Sequence, residues 1–216
     1  MICISIAETQ PETIRQIIDS LQEGEMAEIR LDQMELSPRE IETIFSVPNK
    51  LIATCRSGKY NDQDRMRQLK NAVASGADFI DIEVESDDSY SRELVSFCRK
   101  HNCSVIISYH NYDETPASLQ LRSIIDDCFN AGAEIAKIAC MTQSASDSSR
   151  ILALYEDKRP LVAIGMGEFG KITRVAAPLL GAPFTFAALD KGKETAAGQM
   201  DRATMNHILK ELKYGN

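Results

Sequence analysis

One lysine, Lys137, lies inside an apolar run typical of a buried strand, in the stretch GAEIAKIACMT from Gly132 to Thr142. Its neighbours Ala136 and Ile138 offer the ammonium group no partner. Burial favours the neutral amine, whose lone pair can attack a carbonyl carbon to form an imine. A buried lysine can also serve the fold alone, as one member of a core ion pair. The segment by itself leaves both interpretations open.

Three other polar features could work with this lysine. His110 follows the apolar run CSVIISY and could move protons, although a histidine at a strand end is often only hydrogen-bonded there. Glu28, Arg30 and Asp32 alternate in AEIRLD and so share one strand face, where the arginine could bind an anion or bridge the two acids. The polar segment KGKETAAGQ, residues 191–199, predicts a mobile lid or an ordinary solvated turn.

The composition is that of an ordinary folded protein with one core. The chain has 216 residues, of which 44% are hydrophobic and 26% charged. A net charge of -8 without any Lys/Arg run argues against nucleic-acid binding, so an anionic substrate must be held by a few placed arginines. No apolar run approaches the ~20 residues of a membrane span. The start lacks the basic region and cleavage site of a signal peptide.

The six cysteines contain no CxxC pair, and most lie in apolar segments. This pattern favours reduced, buried thiols in a cytoplasmic protein over a disulfide framework. The same spacing argues against a zinc site. We therefore expect a cytoplasmic protein without a metal, a nucleic-acid partner or a membrane segment.

Short apolar runs separated by amphipathic stretches predict eight strands and eight helices. The predicted strands are Ile2–Ile6, Met26–Leu31, Lys50–Cys55, Asp78–Ile82, Cys103–Tyr109, Glu134–Ala139, Pro160–Ile164 and Pro183–Ala187. The predicted helices are Glu12–Leu21, Pro38–Phe45, Gln63–Ser75, Ser89–His101, Pro116–Asn130, Ser144–Tyr155, Lys171–Leu180 and Arg202–Tyr214. Eight βα units in one domain, residues 1–216, predict an α/β fold, a parallel (β/α)8 TIM barrel. An open doubly wound sheet is the alternative, although no phosphate-binding glycine motif follows the first strand.

In a barrel, the carboxyl ends of all strands meet at one end of one cavity. Arg56 follows the third strand, His110 ends the fifth, Lys137 lies in the sixth and Arg174 follows the seventh. The barrel model therefore gathers a lysine, an imidazole and several arginines in one pocket. Such a set suits imine formation with a ketone, proton transfer by histidine and capture of a carboxylate by arginine. Elimination of water, aldol cleavage and isomerisation are all reachable in this way.

Over nearly its whole length the chain resembles the type I 3-dehydroquinate dehydratase family. The segments that carry the resemblance are Ser5, EIRLD at Glu28–Asp32, Arg56, IDIEVE at Ile80–Glu85, SYHNYDETP at Ser108–Pro116, AEIAKIACMTQSASD at Ala133–Asp147, MGEFGKITR at Met166–Arg174, GAPFTFAAL and TAAGQ at Thr195–Gln199. The resemblance implies a (β/α)8 barrel that dehydrates 3-dehydroquinate to 3-dehydroshikimate in the shikimate pathway, without a metal or an organic cofactor. The family is often dimeric, so a homodimer is a candidate assembly.

The resemblance also implies roles for individual residues. Lys137 matches the lysine that forms an imine with the C3 ketone. His110 matches the general acid/base, which takes the C2 proton and protonates the departing C1 hydroxyl. Arg174 and Gln199 match groups that hold the substrate carboxylate and close the lid, with Thr195 in place of the usual serine. Further substrate contacts are implied for Ser5, Glu28, Arg30, Arg56 and, on the apolar side of the ring, Met166.

Two positions depart from the family pattern. Four residues after the arginine of strand three the family commonly has a glutamate that orients the catalytic histidine, and here this residue is Tyr60. Three acids could take over that role: Asp62, Glu83 and Asp113. The lid reads AAGQ and lacks the usual proline before Gly198, which predicts a looser lid.

Three other interpretations stay open on the sequence alone. A class I aldolase would share the barrel and the lysine, but it usually has a glycine-rich phosphate loop, of which Gly165-Met166-Gly167 is a weak version. A binding barrel without catalysis would be compatible with Tyr60. A purely structural protein would need Lys137 only for stability.

Overall fold

The structure, a computed structural model, describes residues 1–213, in which strands and helices alternate. The strands are β1 (Ile2–Ile6), β2 (Glu25–Arg30), β3 (Leu51–Thr54), β4 (Phe79–Glu83), β5 (Ser104–Asn111), β6 (Ile135–Met141), β7 (Leu161–Met166) and β8 (Thr185–Ala188). The α-helices are α1 (Pro11–Asp19), α2 (Pro38–Phe45), α3 (Asp62–Ala74), α4 (Asp88–Lys100), α5 (Ser118–Asn130), α6 (Ala145–Leu152), α7 (Lys171–Leu179) and α8 (Arg202–Lys213). Short 3-10 turns, Leu31–Gln33 and Ala153–Glu156, follow β2 and α6. Within residues 1–213, every helix is too short or too polar to cross a membrane.

The eight strands form one parallel sheet in the order β7-β6-β5-β4-β3-β2-β1-β8. Strand β1 pairs with both β2 and β8, with Ile2 opposite Glu25 and Thr185, so the sheet curls round on itself. In the described part of the chain no ladder joins β7 to β8, which leaves one seam in the barrel, the β7–β8 seam. Helix α7 contacts both strands of this seam. The predicted single-domain (β/α)8 TIM barrel is confirmed, in a nearly closed form.

The strands are buried because helices cover the outside of the barrel and side chains fill its inside. Every residue of β1, β3, β7 and β8 is buried. Each helix adds an apolar stripe, as in α1, where Ile14, Ile17 and Ile18 share one helical face. Burying one such side chain stabilises the fold by about 1.5–3 kcal/mol. The buried charged residues of the other strands, Glu28, Asp81 and Lys137, therefore lie in an otherwise apolar core.

Most elements start and end close to the predicted positions, and the differences have local causes. Helix α2 begins at Pro38, as predicted, behind a capping box. Strand β5 extends to Asn111, because its ladder with β6 continues after the apolar run has ended, with His110 opposite Ala139. His110 is therefore fixed by strand pairing. Tyr214, the predicted end of the last helix, lies outside the described residues.

Candidate active site

One pocket lies at the carboxyl ends of the strands, with an empty volume of about 510 Å³. Its walls include all ten side chains assigned a role from the sequence: Ser5, Glu28, Arg30, Arg56, His110, Lys137, Met166, Arg174, Thr195 and Gln199. Tyr112, Ala139, Ile164, Phe186 and Ala196 complete the lining. The fold brings together residues far apart in sequence, since Ser5 and Gln199, 194 positions apart, lie 3.5 Å from each other.

Lys137 lies in β6 and is only 5% exposed. Its Nζ donates a hydrogen bond to Asp81 Oδ2 at 2.9 Å and lies 3.8 Å from Glu28 Oε1. The same Nζ is 4.3 Å from the ring centroid of Phe186, a cation–π distance. The lysine thus has the core ion pair considered from the sequence, and it also forms part of the pocket wall.

Asp81, on β4, is the carboxylate that joins the cations of the pocket. Its Oδ1 accepts a hydrogen bond from Arg56 Nη1 at 2.8 Å and one from the Ser108 hydroxyl at 2.5 Å, and Arg56 Nη2 lies 2.8 Å from Oδ2 in the same ion pair. Burial alone would raise the pKa of the Asp81 carboxyl, but the charges of Arg56 and Lys137 outweigh burial and hold this pKa far below its usual range. Asp81 is therefore a fixed negative charge at neutral pH and a poor acceptor for a proton.

His110 has the opposite electrostatic environment. Burial first, and then the positive charges of Arg56 and Lys137, hold the pKa of the imidazole well below 6.5, with Asp81 offsetting part of the shift. Its ring stacks near Tyr112, with ring centroids 6.1 Å apart. Ser108 lies opposite Lys137 in the β5–β6 ladder, and His110 is two residues further along the same strand face. A neutral imidazole at pH 7 is able to accept a proton.

Glu28 is held by hydroxyl groups on both of its carboxylate oxygens. The Ser5 hydroxyl donates to Oε2 at 3.0 Å, and the Thr54 hydroxyl donates to Oε1 at 2.9 Å. Gln199 Nε2 in turn donates to the Ser5 hydroxyl at 3.5 Å. A chain of hydrogen bonds therefore connects the segment after β8 to the carboxylate beside Lys137.

Arg30 and Asp32 form a bidentate ion pair at the rim of the pocket. Arg30 Nε and Nη2 donate to the two carboxylate oxygens at 3.0 and 2.7 Å. Asp32 lies in the turn after β2 and bends back to Arg30, so it does not continue the strand face as the alternation in AEIRLD predicted. The arginine is paired with one acid and does not bridge two.

Arg174 differs from the other cations of the pocket because it has no carboxylate beside it among the described residues. Arg174 is 1% exposed, and its buried Nε atom has no hydrogen-bond partner within residues 1–213. Nη2 makes one long hydrogen bond, 3.5 Å, to the Ala197 carbonyl. Burial lowers the pKa of the Arg174 guanidinium to about 10, so the group remains charged at pH 7. A buried, unpaired cation is a natural place for an anionic ligand.

The lid, residues 191–199, packs against the loop that follows β7. Gly167 N–H donates to the Ala197 carbonyl at 3.0 Å. Gly198 has a φ of +74°, and a Cβ atom there would lie 2.2 Å from the Gly167 carbonyl oxygen, so this contact requires glycine. Gln199 Oε1 accepts from Thr195 N–H at 2.8 Å. Because the lid uses the Gly167 N–H, this loop is occupied where a phosphate-binding aldolase would need free amides.

Tyr60 does not take the place of a carboxylate at the histidine. Its hydroxyl donates to the Met34 carbonyl at 2.5 Å, and the neighbouring Lys59 Nζ donates to the same oxygen at 3.2 Å. Both residues thus tie the loop after β3 to the loop after β2. Tyr60 is a link between loops.

Of the three acids named as substitutes, Asp62 and Glu83 have carboxylates engaged elsewhere. Asp62 and Glu83 both form ion pairs with Arg65, at 2.9 and 2.7 Å. Asp113 lies in a turn organised by backbone contacts to Asn111. In residues 1–213, none of these three carboxylates is hydrogen-bonded to His110. Among the described residues, the imidazole has the charge of Asp81 nearby and no hydrogen bond to a carboxylate.

Comparison with known proteins matches this barrel and its residues to one family. A family model described as type I 3-dehydroquinase covers residues 2–215. The chain belongs to the type I 3-dehydroquinase family. It is 36% identical over 221 residues to the 3-dehydroquinate dehydratase of Methanothermobacter thermautotrophicus, covering 98% of this chain and 96% of the relative. The resemblance to this family is confirmed.

Two further comparisons agree with this membership. The 3-dehydroquinate dehydratase of Methanocaldococcus jannaschii is 34% identical over 227 residues, covering 99% of this chain and 100% of the relative. The solved structure of the enzyme from Geobacillus kaustophilus superimposes with a TM-score of 0.89 at 22% identity, covering 100% of this chain and 91% of that one. The structural likeness supports the fold.

In this type I 3-dehydroquinase chain, sequence reasoning missed several residues at the site. Asp81, which binds Lys137, received no role, because its alternation with Glu83 in IDIEVE indicates only a shared strand face and does not tell which face points into the barrel. Phe186, under the Lys137 ammonium, and Tyr112, beside His110, had no distinguishing signal. In residues 1–213, no cluster of three or more His, Cys, Asp or Glu side chains could hold a metal ion.

Proposed function

We propose that this protein converts 3-dehydroquinate into 3-dehydroshikimate through a Schiff base on Lys137, with His110 as general acid and base. Membership of the type I 3-dehydroquinase family supports the reaction. The observation that carries the mechanism is the position of Lys137, a buried amine in the wall of a covered pocket that also holds a neutral imidazole. A carbonyl carbon entering this pocket would meet a nucleophile and a base together.

The first half of the reaction forms the imine. The Lys137 ammonium must lose a proton before the amine attacks the C3 ketone of the substrate. Asp81 is a poor acceptor because its pKa is held far below its usual range, whereas His110 is neutral and can take the proton. The carbonyl oxygen leaves as water after receiving one proton from the amine nitrogen and the proton held on His110, which makes the imidazole neutral again. The new iminium stays close to the Asp81 and Glu28 carboxylates, which stabilise its positive charge.

The second half eliminates water from the ring. The iminium withdraws electrons from C2, so a C2 proton becomes acidic enough for the His110 imidazole to remove it. The C1 hydroxyl then leaves as water after receiving a proton from His110. Hydrolysis of the iminium consumes one water molecule and releases the product and the Lys137 ammonium. The net change is loss of one water from the substrate.

Substrate binding is divided among the remaining residues of the pocket. Arg174 and Gln199 are suited to the substrate carboxylate, because Arg174 is a buried cation without a carboxylate partner. Thr195 supports this binding through its contact with Gln199. The ring hydroxyls would contact Ser5, Glu28, Arg30 and Arg56, and the apolar face of the ring would pack on Met166.

We extend the proposal to the setting of the enzyme. Residues 1–216 act as one catalytic domain that needs neither metal nor organic cofactor. All six cysteines are free and buried, which supports a cytoplasmic location. A homodimer stays a prediction, which sedimentation of the purified protein would test.

Replacement of the lysine tests the mechanism. We expect Lys137→Met to lower kcat for 3-dehydroquinate by at least about 10⁴-fold, while circular dichroism shows an unchanged fold. Lys158→Met, at an exposed position, is the matched control and should keep wild-type turnover. Substantial dehydration by a folded Lys137→Met protein would rule out a Schiff base at this residue.

A further inference from the structure

We propose that Arg65 and Glu83, which lie outside the pocket, are a positioning pair that fixes Arg56 and thereby the Arg56–Asp81–Lys137 cluster. The inference rests on the proposed function and adds two residues to it. Neither residue lines the pocket. Their effect would pass through the backbone on either side of Arg56.

Arg65, on α3, is a buried guanidinium with three acceptors. It is 4% exposed, and its Nη2 donates to Glu83 Oε2 at 2.7 Å. Nη1 donates to Asp62 Oδ1 at 2.9 Å, and Nε donates to the Cys55 carbonyl at 3.0 Å. Cys55 immediately precedes Arg56 in the chain. One side chain therefore binds the backbone on the N-terminal side of Arg56.

Glu83, at the end of β4, binds the backbone on the other side. Its Oε2 accepts from the Ser57 N–H at 3.2 Å, and its Oε1 accepts from the Ser57 hydroxyl at 3.4 Å. Ser57 immediately follows Arg56. The Arg65–Glu83 ion pair is thus hydrogen-bonded to both chain neighbours of Arg56, namely Cys55 and Ser57.

This support matters because the β-ladder ends before Arg56. The last residue of β3 is Thr54, and β3 pairs with β4 only as far as Asp81. Arg56 therefore lies on a loop, yet its guanidinium makes two 2.8 Å bonds to Asp81 and one of 3.0 Å to Ser108. Bidentate geometry tolerates little displacement of the arginine backbone. The Arg65–Glu83 pair supplies the constraint that strand pairing no longer gives.

The chemistry of Arg65 fits this role better than a role in packing alone. Burying a cation has a large desolvation cost, so an apolar residue would be the simpler choice for filling the same space. Only the planar fork of an arginine presents donors to a carbonyl and two carboxylates at once. A lysine at position 65 would keep the charge and lose this geometry.

Variants of Arg65 test the proposal through activity and through structure. We expect Arg65→Lys and Arg65→Met to lower kcat/KM for 3-dehydroquinate by about 10-fold and about 100-fold, because small displacements of a positioning group have effects of this size. In an Arg56→Met background, Arg65→Met should lower kcat/KM by less than about 3-fold further, since its target is already gone. Arg159→Met, which removes an exposed arginine bound to Asp126 and Asp157, is the control and should keep wild-type kcat/KM.

Crystal structures of the wild type and of Arg65→Lys give a readout that does not depend on turnover. The proposal predicts that Arg56 loses at least one of its two bonds to Asp81 in the variant. An unchanged Arg56–Asp81 pair in the Arg65→Lys structure would overturn the positioning role. The role would also be overturned if Arg65→Met lowered kcat/KM equally in the wild type and in the Arg56→Met background. If the wild type does not dehydrate 3-dehydroquinate but Arg56 moves in the variant, the proposed function fails and the positioning pair stands.

Discussion

Arg56 and Arg174 are both largely buried guanidinium groups in the same pocket, but their surroundings differ. Arg56, on the side of β3 to β6, makes two bonds to Asp81, and the same aspartate binds Lys137. Arg174, beside the β7–β8 seam, has a buried Nε without a partner and one long bond to the lid. We call these regions the paired side, formed by Arg56, Asp81 and Lys137, and the unpaired side, formed by Arg174 and the lid.

This difference matches the division of roles in the proposed function, with catalysis on the paired side and substrate binding on the unpaired side. On the paired side, the two cations share the Asp81 carboxylate, so the geometry around the Lys137 amine is set by contacts within the protein. On the unpaired side, a buried cation is left without a counter-charge, which destabilises the empty protein and favours an anionic substrate. Under the proposed function, the first arrangement would hold the catalytic groups in place, and the second would contribute to the free energy of substrate binding.

Asp81→Asn would break the paired side, and we expect it to have the largest effect. An amide cannot neutralise Arg56 and Lys137, so the free energy of unfolding should fall by about 3–5 kcal/mol at pH 7. The pKa of Asp81 is lower in the folded protein than its ordinary value of 3.8. Its stabilising contribution is therefore complete above about pH 4 and is lost as the pH falls further towards the folded-state pKa.

Urea unfolding across this pH range measures the effect of Asp81→Asn. The stability difference between wild type and variant should be constant from pH 7 to about pH 4 and narrow below it. Equal stability of the two proteins at pH 7 would mean that the cations of the paired side do not depend on Asp81.

Arg174→Met would sharpen the contrast, because its effects on binding and on stability should have opposite signs. Loss of the guanidinium should raise KM for 3-dehydroquinate by about 30-fold, equivalent to about 2 kcal/mol of binding. The melting temperature should stay the same or rise, since an unpaired buried charge is replaced by an apolar side chain of similar length.

Arg56→Met is the matched control on the paired side. It should lower the melting temperature, because it leaves Asp81 with Lys137 as its remaining cation. Steady-state kinetics would give KM, and thermal melts would give the melting temperature, for both the Arg174→Met and the Arg56→Met proteins. A clear loss of stability in Arg174→Met would contradict the idea that the unpaired side is strained without a ligand.

The pH dependence of kcat/KM tests whether the His110 imidazole is neutral in the free enzyme. Near pH 7 we expect kcat/KM to change little with pH, which makes this the smallest of the expected effects. His110 must be unprotonated to act as a base, so kcat/KM should rise with pH along a limb whose midpoint is the His110 pKa in the free enzyme. Because that pKa is lowered, the midpoint should lie below 6.5. Tyr60→Phe should leave the midpoint in place, since the Tyr60 hydroxyl binds Met34. A midpoint above 6.5, or one displaced by Tyr60→Phe, would argue for a different partner of the histidine.

The barrel could be predicted from the sequence because each strand is a continuous apolar run and each helix has a regular apolar stripe. The same regularity placed His110 and Lys137 at one end of one cavity. The bond between Lys137 and Asp81 could not be predicted, because it joins residues 56 positions apart and depends on the strand register. The link between Tyr60 and the Met34 carbonyl was equally hidden, since a backbone acceptor leaves no sequence signal.

The structure of the lid was also predictable only in part. Its polar residues predicted a mobile lid or an ordinary solvated turn. Its contact with the loop after β7 depends on the positive φ of Gly198 and on the close approach of Gly198 to Gly167. The unpartnered Nε atom of Arg174 also emerged only from the three-dimensional arrangement. The main feature of the site that could not be predicted from the sequence is which charged side chains are paired.

Trapping with sodium borohydride in the presence of 3-dehydroquinate tests the Schiff base on Lys137 most directly. We expect the wild-type protein to gain one covalently bound, reduced ligand, located by peptide mass mapping on the segment that contains Lys137. Neither the Lys137→Met protein nor the wild type without substrate should gain it. Turnover by the wild type with no adduct at Lys137 after reduction would contradict the mechanism.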